Sequence, residues 1–396
     1  MRYPDKISLN EGWRFALTLA AGVERPGFDD RAFTPVTLPH DWQIANRRDP
    51  DMEWGWSQGY WPRAQVGWYR RRLTVPEGWD GGHLYLVLEG CQRFYDIWVD
   101  GQRVGDHRYG YVPYVLDLAP YVTPGTEALL CVRVDDAHTL GDRWYSGAGI
   151  DRDVYLLARR GAHLAPFGLA VDAVPEGGSG VCHVRATLRS DAPAEAVLCA
   201  ELVDPEGRVC AAGEVPVSLA PGETEARLDL AVTDVRLWDL DDPALYRLTV
   251  TVRQGEETVD SAWEQIGFRS FRFSKEEGFV LNGRMRKLYG ADLHHDGGVC
   301  FGSAAPRGVI RERLLALKRL GCNAIRCSHG PHPQALYELC DELGLAVIDE
   351  LYDKWCGSSI YFGLLFEEDR FDDLRAMVAR DRDHPCVVLW SLGNEL

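Results

Sequence analysis

Apolar and polar residues alternate with a period of two along most of the chain up to about residue 273, and with a helical period after it. Gly67-Trp68-Tyr69-Arg70-Arg71-Arg72-Leu73-Thr74-Val75-Pro76 and His83-Leu84-Tyr85-Leu86-Val87-Leu88 read as strands, and Asp100-Gly101 between Ile97-Trp98-Val99 and Val104 reads as a hairpin turn. This first region predicts an antiparallel β-sandwich. Beyond it, near the Pro/Gly-rich patch Pro175 to Gly180, the alternation is cleaner. Val184-Arg185-Ala186-Thr187-Leu188 and Leu248-Thr249-Val250-Thr251-Val252 put apolar groups on one face, as in a small immunoglobulin-like β-sandwich.

After about residue 273 strand, loop and helix repeat. Leu288 to Ala291 predicts a strand, followed by a helix from near Pro306 with Val309, Ile310, Leu314, Leu317 and Leu320 on one face and a stop at Gly321. Ala324 to Cys327, Ala346 to Ile348 and Val387 to Trp390 predict three more strands, with helices around Gln334 to Leu343 and Asp372 to Arg380 between them. Four β/α units predict a parallel sheet, half of an eight-stranded barrel. The expected domains are residues 1–162, 163–272 and 273–396.

A chain of 396 residues accommodates several cores. Its formal net charge of -17 repels phosphate backbones and anionic lipid, so nucleic acid and membrane surfaces are excluded as partners and a small neutral ligand is expected. No apolar run approaches the roughly 20 residues of a membrane helix, and the start, MRYPDKISLNEGW, has no apolar leader segment; a cytoplasmic location is expected. The 11 cysteines form no Cys-x-x-Cys pair and are expected to be mostly buried apolar fillers.

Each predicted barrel strand runs into ionisable residues. These are Asp292, His294 and His295; Arg326 with Ser328 and His329; Asp349 and Glu350; and Asn394 and Glu395. In a (β/α)8 barrel these ends share one mouth. Plainer readings exist for some: Asp349-Glu350 as a cap for the following segment, and His332 as an ordinary loop histidine. His294-His295 could be a zinc pair, but neighbours on an extended segment point apart and the spacing supplies no third ligand. Carboxylates with Asn, Arg and His around one mouth suit glycosidic bond cleavage, in which one carboxylic acid protonates the leaving oxygen and a second carboxylate attacks or activates water.

In order along the chain stand Leu38-Pro39-His40-Asp41-Trp42, Arg143-Trp144-Tyr145-Ser146-Gly147-Ala148-Gly149-Ile150-Asp151-Arg152-Asp153-Val154, Pro243-Ala244-Leu245-Tyr246, Gly267-Phe268-Arg269 and Leu281-Asn282-Gly283. His294-His295-Asp296, Ile325-Arg326-Cys327-Ser328-His329 and Gly393-Asn394-Glu395 complete the series. With this set the chain resembles glycoside hydrolase family two, the β-galactosidase and β-glucuronidase type. The resemblance implies a sugar-binding jelly roll, an immunoglobulin-like sandwich and a catalytic TIM barrel, of which the first four β/α units are present. It implies a retaining β-glycosidase, best matched to β-galactosides, with β-glucuronides or β-mannosides as alternatives. It further implies Glu395 as general acid/base, Asn394 as partner of the sugar 2-hydroxyl, and His294, His329, Arg326 and Glu350 around the substrate. Asp142, just before the Trp-Tyr-Ser-Gly loop, falls where some members send an Asp toward the sugar, and could equally be a turn residue.

Two departures stand out. Where the resemblance places a Glu and a His in magnesium-dependent galactosidases, this chain has Lys354 and Cys356, poor ligands for a hard cation. No essential metal and no cofactor are therefore expected. The family's nucleophilic Glu on a later barrel strand is not in the chain, so a fragment that is inactive alone is expected, with self-association or homo-oligomer formation through an open barrel edge. Two other readings compete: a non-catalytic carbohydrate-binding protein, since nine of 13 tryptophans precede residue 160, and a subunit that completes a barrel in trans.

Overall fold

The computed structural model describes residues 1–52, 55, 59–62, 65–79, 81–136, 144–355 and 361–395, without the side chains of 361–370. Two antiparallel sheets form the N-terminal jelly roll. The larger runs in the order Thr34–Val36, Trp13–Leu17, Val66–Thr74, Glu127–Asp135, Phe94–Val99 and Gln102–His107. The smaller runs Ile7–Ser8, Val154–Arg159, His83–Leu88 and Tyr114–Asp117. Asp100 and Gly101 both take positive φ, 48° and 85°, in the hairpin turn expected there. Trp13, Trp42, Trp61, Trp68, Trp79 and Trp144 are buried, so these rings hold the first domain and its joints together.

The immunoglobulin-like sandwich packs a three-stranded sheet (His163–Glu176, Ser179–Ser190, Gly222–Val232) on a four-stranded one (Val209–Leu219, Ala194–Val203, Tyr246–Gln254, Glu257–Ile266). Val184, Ala186 and Leu188 from one sheet and Leu248, Val250 and Val252 from the other meet in the same core, as the period-two pattern requires. A small hairpin sheet, Phe271–Ser274 with Gly278–Leu281 and Arg284–Arg286, links this sandwich to the barrel. It was not expected, and the anticipated boundary at 272/273 falls inside its first strand.

Four parallel strands, Gly290–His294, Ala324–Ser328, Ala346–Glu350 and Val387–Ser391, are hydrogen-bonded in chain order. The first begins two residues later than expected and ends at His294. Helix Arg307–Arg319 buries Ile310 and Leu314, but Leu320 is its C-cap residue and is exposed rather than on the buried face. Helix Gln334–Leu343 ends at Gly344, whose φ of 69° and close approach to the Leu240 carbonyl leave no room for a Cβ. The last helix, Tyr361–Asp381, starts well before the expected Asp372. No helix among the described residues is long and apolar enough to cross a membrane.

Asp41, Arg152 and Arg269 of the quoted motifs, together with Trp238, sit at the domain joints. Asp41 is buried and accepts hydrogen bonds from the Tyr145 hydroxyl at 2.5 Å, the Gln43 amide at 3.0 Å, the Ala148 amide at 3.3 Å, and the Ser303 amide and hydroxyl at 2.9 and 3.2 Å. Ser303 belongs to the loop after the first barrel strand, so Asp41 ties the jelly roll to the barrel mouth. Arg152 donates to the Pro331 carbonyl at 2.7 Å, Trp238 to the Asp341 carbonyl at 2.9 Å, and Arg269 to the Val387 carbonyl at 2.8 Å. Asp41→Ala strands several buried donors, each worth about 1–3 kcal/mol when unpaired. It is expected to cost about 3 kcal/mol, seen as a lower urea midpoint than wild type.

Candidate active site

The centre of the strand-end cluster is Glu350, whose side chain is 0% exposed at the end of the third strand. Its Oε2 accepts from Arg326 Nη2 at 2.6 Å, Arg326 Nε at 3.1 Å and the Ser391 hydroxyl at 2.7 Å, and its Oε1 faces His329 Nδ1 at 2.6 Å. A carboxylate accepts only, so the His329 Nδ1–H is the donor. Burial opposes ionisation of Glu350, but the hydrogen bonds from His329, Ser391 and Arg326 and the guanidinium charge outweigh it and hold this carboxyl below the usual glutamate value. The capping reading of Asp349-Glu350 is thereby overturned. Both residues lie inside the strand, where Asp349 accepts from the buried Tyr337 hydroxyl at 2.6 Å and burial pushes its pKa well up.

Arg326 links the second, third and fourth strand ends, because its Nη2 also donates to Asn394 Oδ1 at 3.0 Å. Asn394 is held from the other side as well: its Nδ2 donates to Asp353 Oδ1 at 2.8 Å and its amide to the Asp353 carbonyl at 2.9 Å. Each of its two amide atoms keeps one hydrogen-bonding position for a ligand. Glu395 follows at φ 49°, with a carboxylate 63% exposed and its Oε2 at 2.6 Å from Lys354 Nζ. Lys354 Nζ also donates to the Asn394 carbonyl at 3.3 Å.

On the first strand His294 Nδ1 donates to the Ser328 carbonyl at 2.9 Å, which makes Nε2 the acceptor of the neutral ring. Burial lowers the His294 pKa and keeps that ring neutral near pH 7. Its ring stacks on Trp144 of the jelly roll at 5.1 Å and 7°, and Trp144 meets His329 edge to face at 5.3 Å. His294 and His329 are 5.5 Å apart, ring to ring. His295 points away, its Nε2 donating to the Ser303 carbonyl at 2.7 Å, and burial pushes its pKa down to about 3. The two histidines therefore diverge, and a shared zinc ion does not fit them. His332 is a loop residue, buried against His295 at 5.5 Å.

Of the expected site residues, His294, His329, Arg326, Glu350, Asn394 and Glu395 belong to one continuous set of contacts at neighbouring strand ends. Asp142 and Cys356 lie outside the described residues. Trp144, Asp353, Lys354 and Ser391 join the set without having been expected as site residues. Ser391 stands just before Gly393-Asn394-Glu395, and Trp144 opens the Trp-Tyr-Ser-Gly loop, so both carried a signal. Lys354 places an ammonium group 2.6 Å from the Glu395 carboxylate, and a protonated amine cannot itself ligate a magnesium ion.

Three family models match the chain in succession: Glycosyl hydrolases family 2, sugar binding domain, over residues 7–160; Glycosyl hydrolases family 2 over 167–269; and Glycosyl hydrolases family 2, TIM barrel domain, over 273–396. The beta-galactosidase BoGH2A of Bacteroides ovatus is 36% identical over 99% of this chain and 46% of its own length. A putative beta-glucuronidase of Formosa agariphila is 30% identical over 98% of the chain and 37% of its own length. The chain thus spans about half the length, or less, of these relatives. Among solved structures, a glycosyl hydrolase family 2 member from Bacteroides cellulosilyticus superposes with a TM-score of 0.93 at 33% identity, over 100% of this chain and 52% of that one. Bacteroides uniformis beta-glucuronidase 2, covalently bound to cyclophellitol-6-carboxylate aziridine, gives 0.85 at 27% identity, over 99% and 47%.

Proposed function

We propose, from the premise that the chain belongs to glycoside hydrolase family 2, that its strand ends form the sugar-binding and proton-donating part of a retaining β-glycosidase site. Glu395 is the general acid/base: it protonates the departing glycosidic oxygen and then takes a proton from the attacking water. Asn394 offers its remaining donor and acceptor to the sugar 2-hydroxyl, and His294 and His329 line the same mouth. Arg326 and Glu350 form the scaffold under Asn394. A second carboxylate makes the covalent attack in this mechanism, and Glu350 is unsuited to that part because Arg326, His329 and Ser391 occupy its oxygens.

The observation that carries the reading is the unbroken run His294, His329, Glu350, Arg326, Asn394 across four adjacent strand ends, reaching the turn that holds Glu395. The non-catalytic sugar-binding reading has less support, because six of the seven tryptophans described in the first domain are buried, while Trp54 and Trp56 lie outside the described residues. A β-D-galactoside is the proposed substrate. The relative of 36% identity named a beta-galactosidase and the His294-His295-Asp296 motif before a Gly-rich loop support it.

The test is hydrolysis of 4-nitrophenyl β-D-galactoside, glucuronide, mannoside and glucoside by the gene product read to its stop codon. Turnover is expected to be fastest on the galactoside. Preference for another sugar would redirect the substrate, and no turnover on any of them would overturn the glycosidase reading.

A further inference from the structure

Lys354 occupies an unusual place for a lysine. Its side chain is only 15% exposed, and its ammonium lies 2.6 Å from Glu395 Oε2, 3.3 Å from the Asn394 carbonyl and 3.7 Å from Oδ1 of the fully buried Asp353. These contacts fall on consecutive residues of one turn and on the loop beneath it. An exposed ion pair is worth little by itself, because two long side chains must be ordered to make it. Here the lysine end is already ordered by the carbonyl and by Asp353, so the cost of orienting the Glu395 carboxylate is reduced. That matters for a proton donor, whose efficiency depends on direction and distance.

We propose that Lys354 is the positioning residue of Glu395, and that its ammonium supplies from within the chain the positive charge beside that carboxylate, in place of any divalent cation. The catalytic part of this inference rests on the glycosidase reading; the contact itself does not. Groups facing the pair are Asp353 beside Lys354, with Arg326 and Glu350 one step away through Asn394.

Two measurements decide it. In protein labelled with 13C at glutamate carboxyl groups, with the Glu395 signal assigned through Glu395→Gln, Lys354→Met is expected to raise the Glu395 titration midpoint by about one pH unit, while Lys354→Arg leaves it near wild type. In the hydrolysis assay, Lys354→Met is expected to slow release of poor leaving groups about tenfold and the first-turnover burst of 2,4-dinitrophenol hardly at all, with the alkaline limb of the pH profile moved upward. Wild-type rates are expected to be unaffected by EDTA. An unmoved midpoint overturns the inference whatever the activity. So does loss of wild-type activity in EDTA that magnesium restores. If the midpoint moves and the wild type hydrolyses nothing, the positioning contact stands and the glycosidase reading falls.

Discussion

Glu395→Gln is expected to lower turnover of a β-glycoside that needs leaving-group protonation by about 10³-fold. Glutamine keeps the shape of the side chain and can still accept from Lys354, but it has no proton to give. Formation of a glycosyl-enzyme intermediate from 2,4-dinitrophenyl β-D-galactoside should be nearly spared, because that leaving group departs as a stable anion. Its breakdown should not be, because water then lacks its base. Added azide, which attacks without losing a proton, should therefore restore turnover on the dinitrophenyl substrate and yield the glycosyl azide of retained configuration. A carboxylate 63% exposed contributes little to the fold, so the variant should denature at the wild-type midpoint. Wild-type turnover in Glu395→Gln would remove this residue from the mechanism.

The second large effect is on stability. Arg326→Met leaves Glu350 buried with His329 and Ser391 but without its guanidinium, and breaking a buried pair costs about 3–5 kcal/mol when the charge is left behind. The lower end is expected, because Arg326 is 26% exposed and two other donors remain. The pH dependence has a definite sign. Glu350 is held below its ordinary value of 4.5 in the folded protein, so its contribution is complete above that value and disappears as pH falls through the folded one. Arg326→Met should weaken the protein at neutral pH and move its acid unfolding to higher pH. Urea midpoints measured from about pH 7 to about pH 3 would show both changes. Equal midpoints for the two proteins across that range would mean that Arg326 carries no such load. The same variant should bind sugar poorly, because Asn394 loses the donor that fixes its oxygen.

Much of this arrangement was readable from residue order. Period-two runs such as Val184 to Leu188 and Leu248 to Val252 face one core, because a pleated strand leaves no other solution when one face is buried. Gly344 ended its helix as expected, since only a residue without Cβ fits that left-handed position. Polar residues at four strand ends were legible as a cluster because a parallel barrel sends all such ends to one side. What was not legible depends on partners distant in the chain. A cap competed with a site role for Asp349 and Glu350 because nothing nearby in sequence shows Arg326, His329, Tyr337 and Ser391 closing over them. The hairpin sheet around Phe271–Ser274 was missed because its strands are three or four residues long and too short to establish a period. Trp144 was visible as part of a motif, but its partner His294 lies 150 positions away.

That last contact has a consequence for anyone who would cut or recombine this protein. The flat indole laid against His294 comes from the first domain, while the imidazole belongs to the third. A barrel segment expressed alone would present that histidine to water without its backing surface, and a jelly roll borrowed from a cousin would bring whatever side chain its own loop carries. A cut at the boundary marked by a change of sequence rhythm would separate the two rings, so modular exchange has to move the indole and the imidazole together.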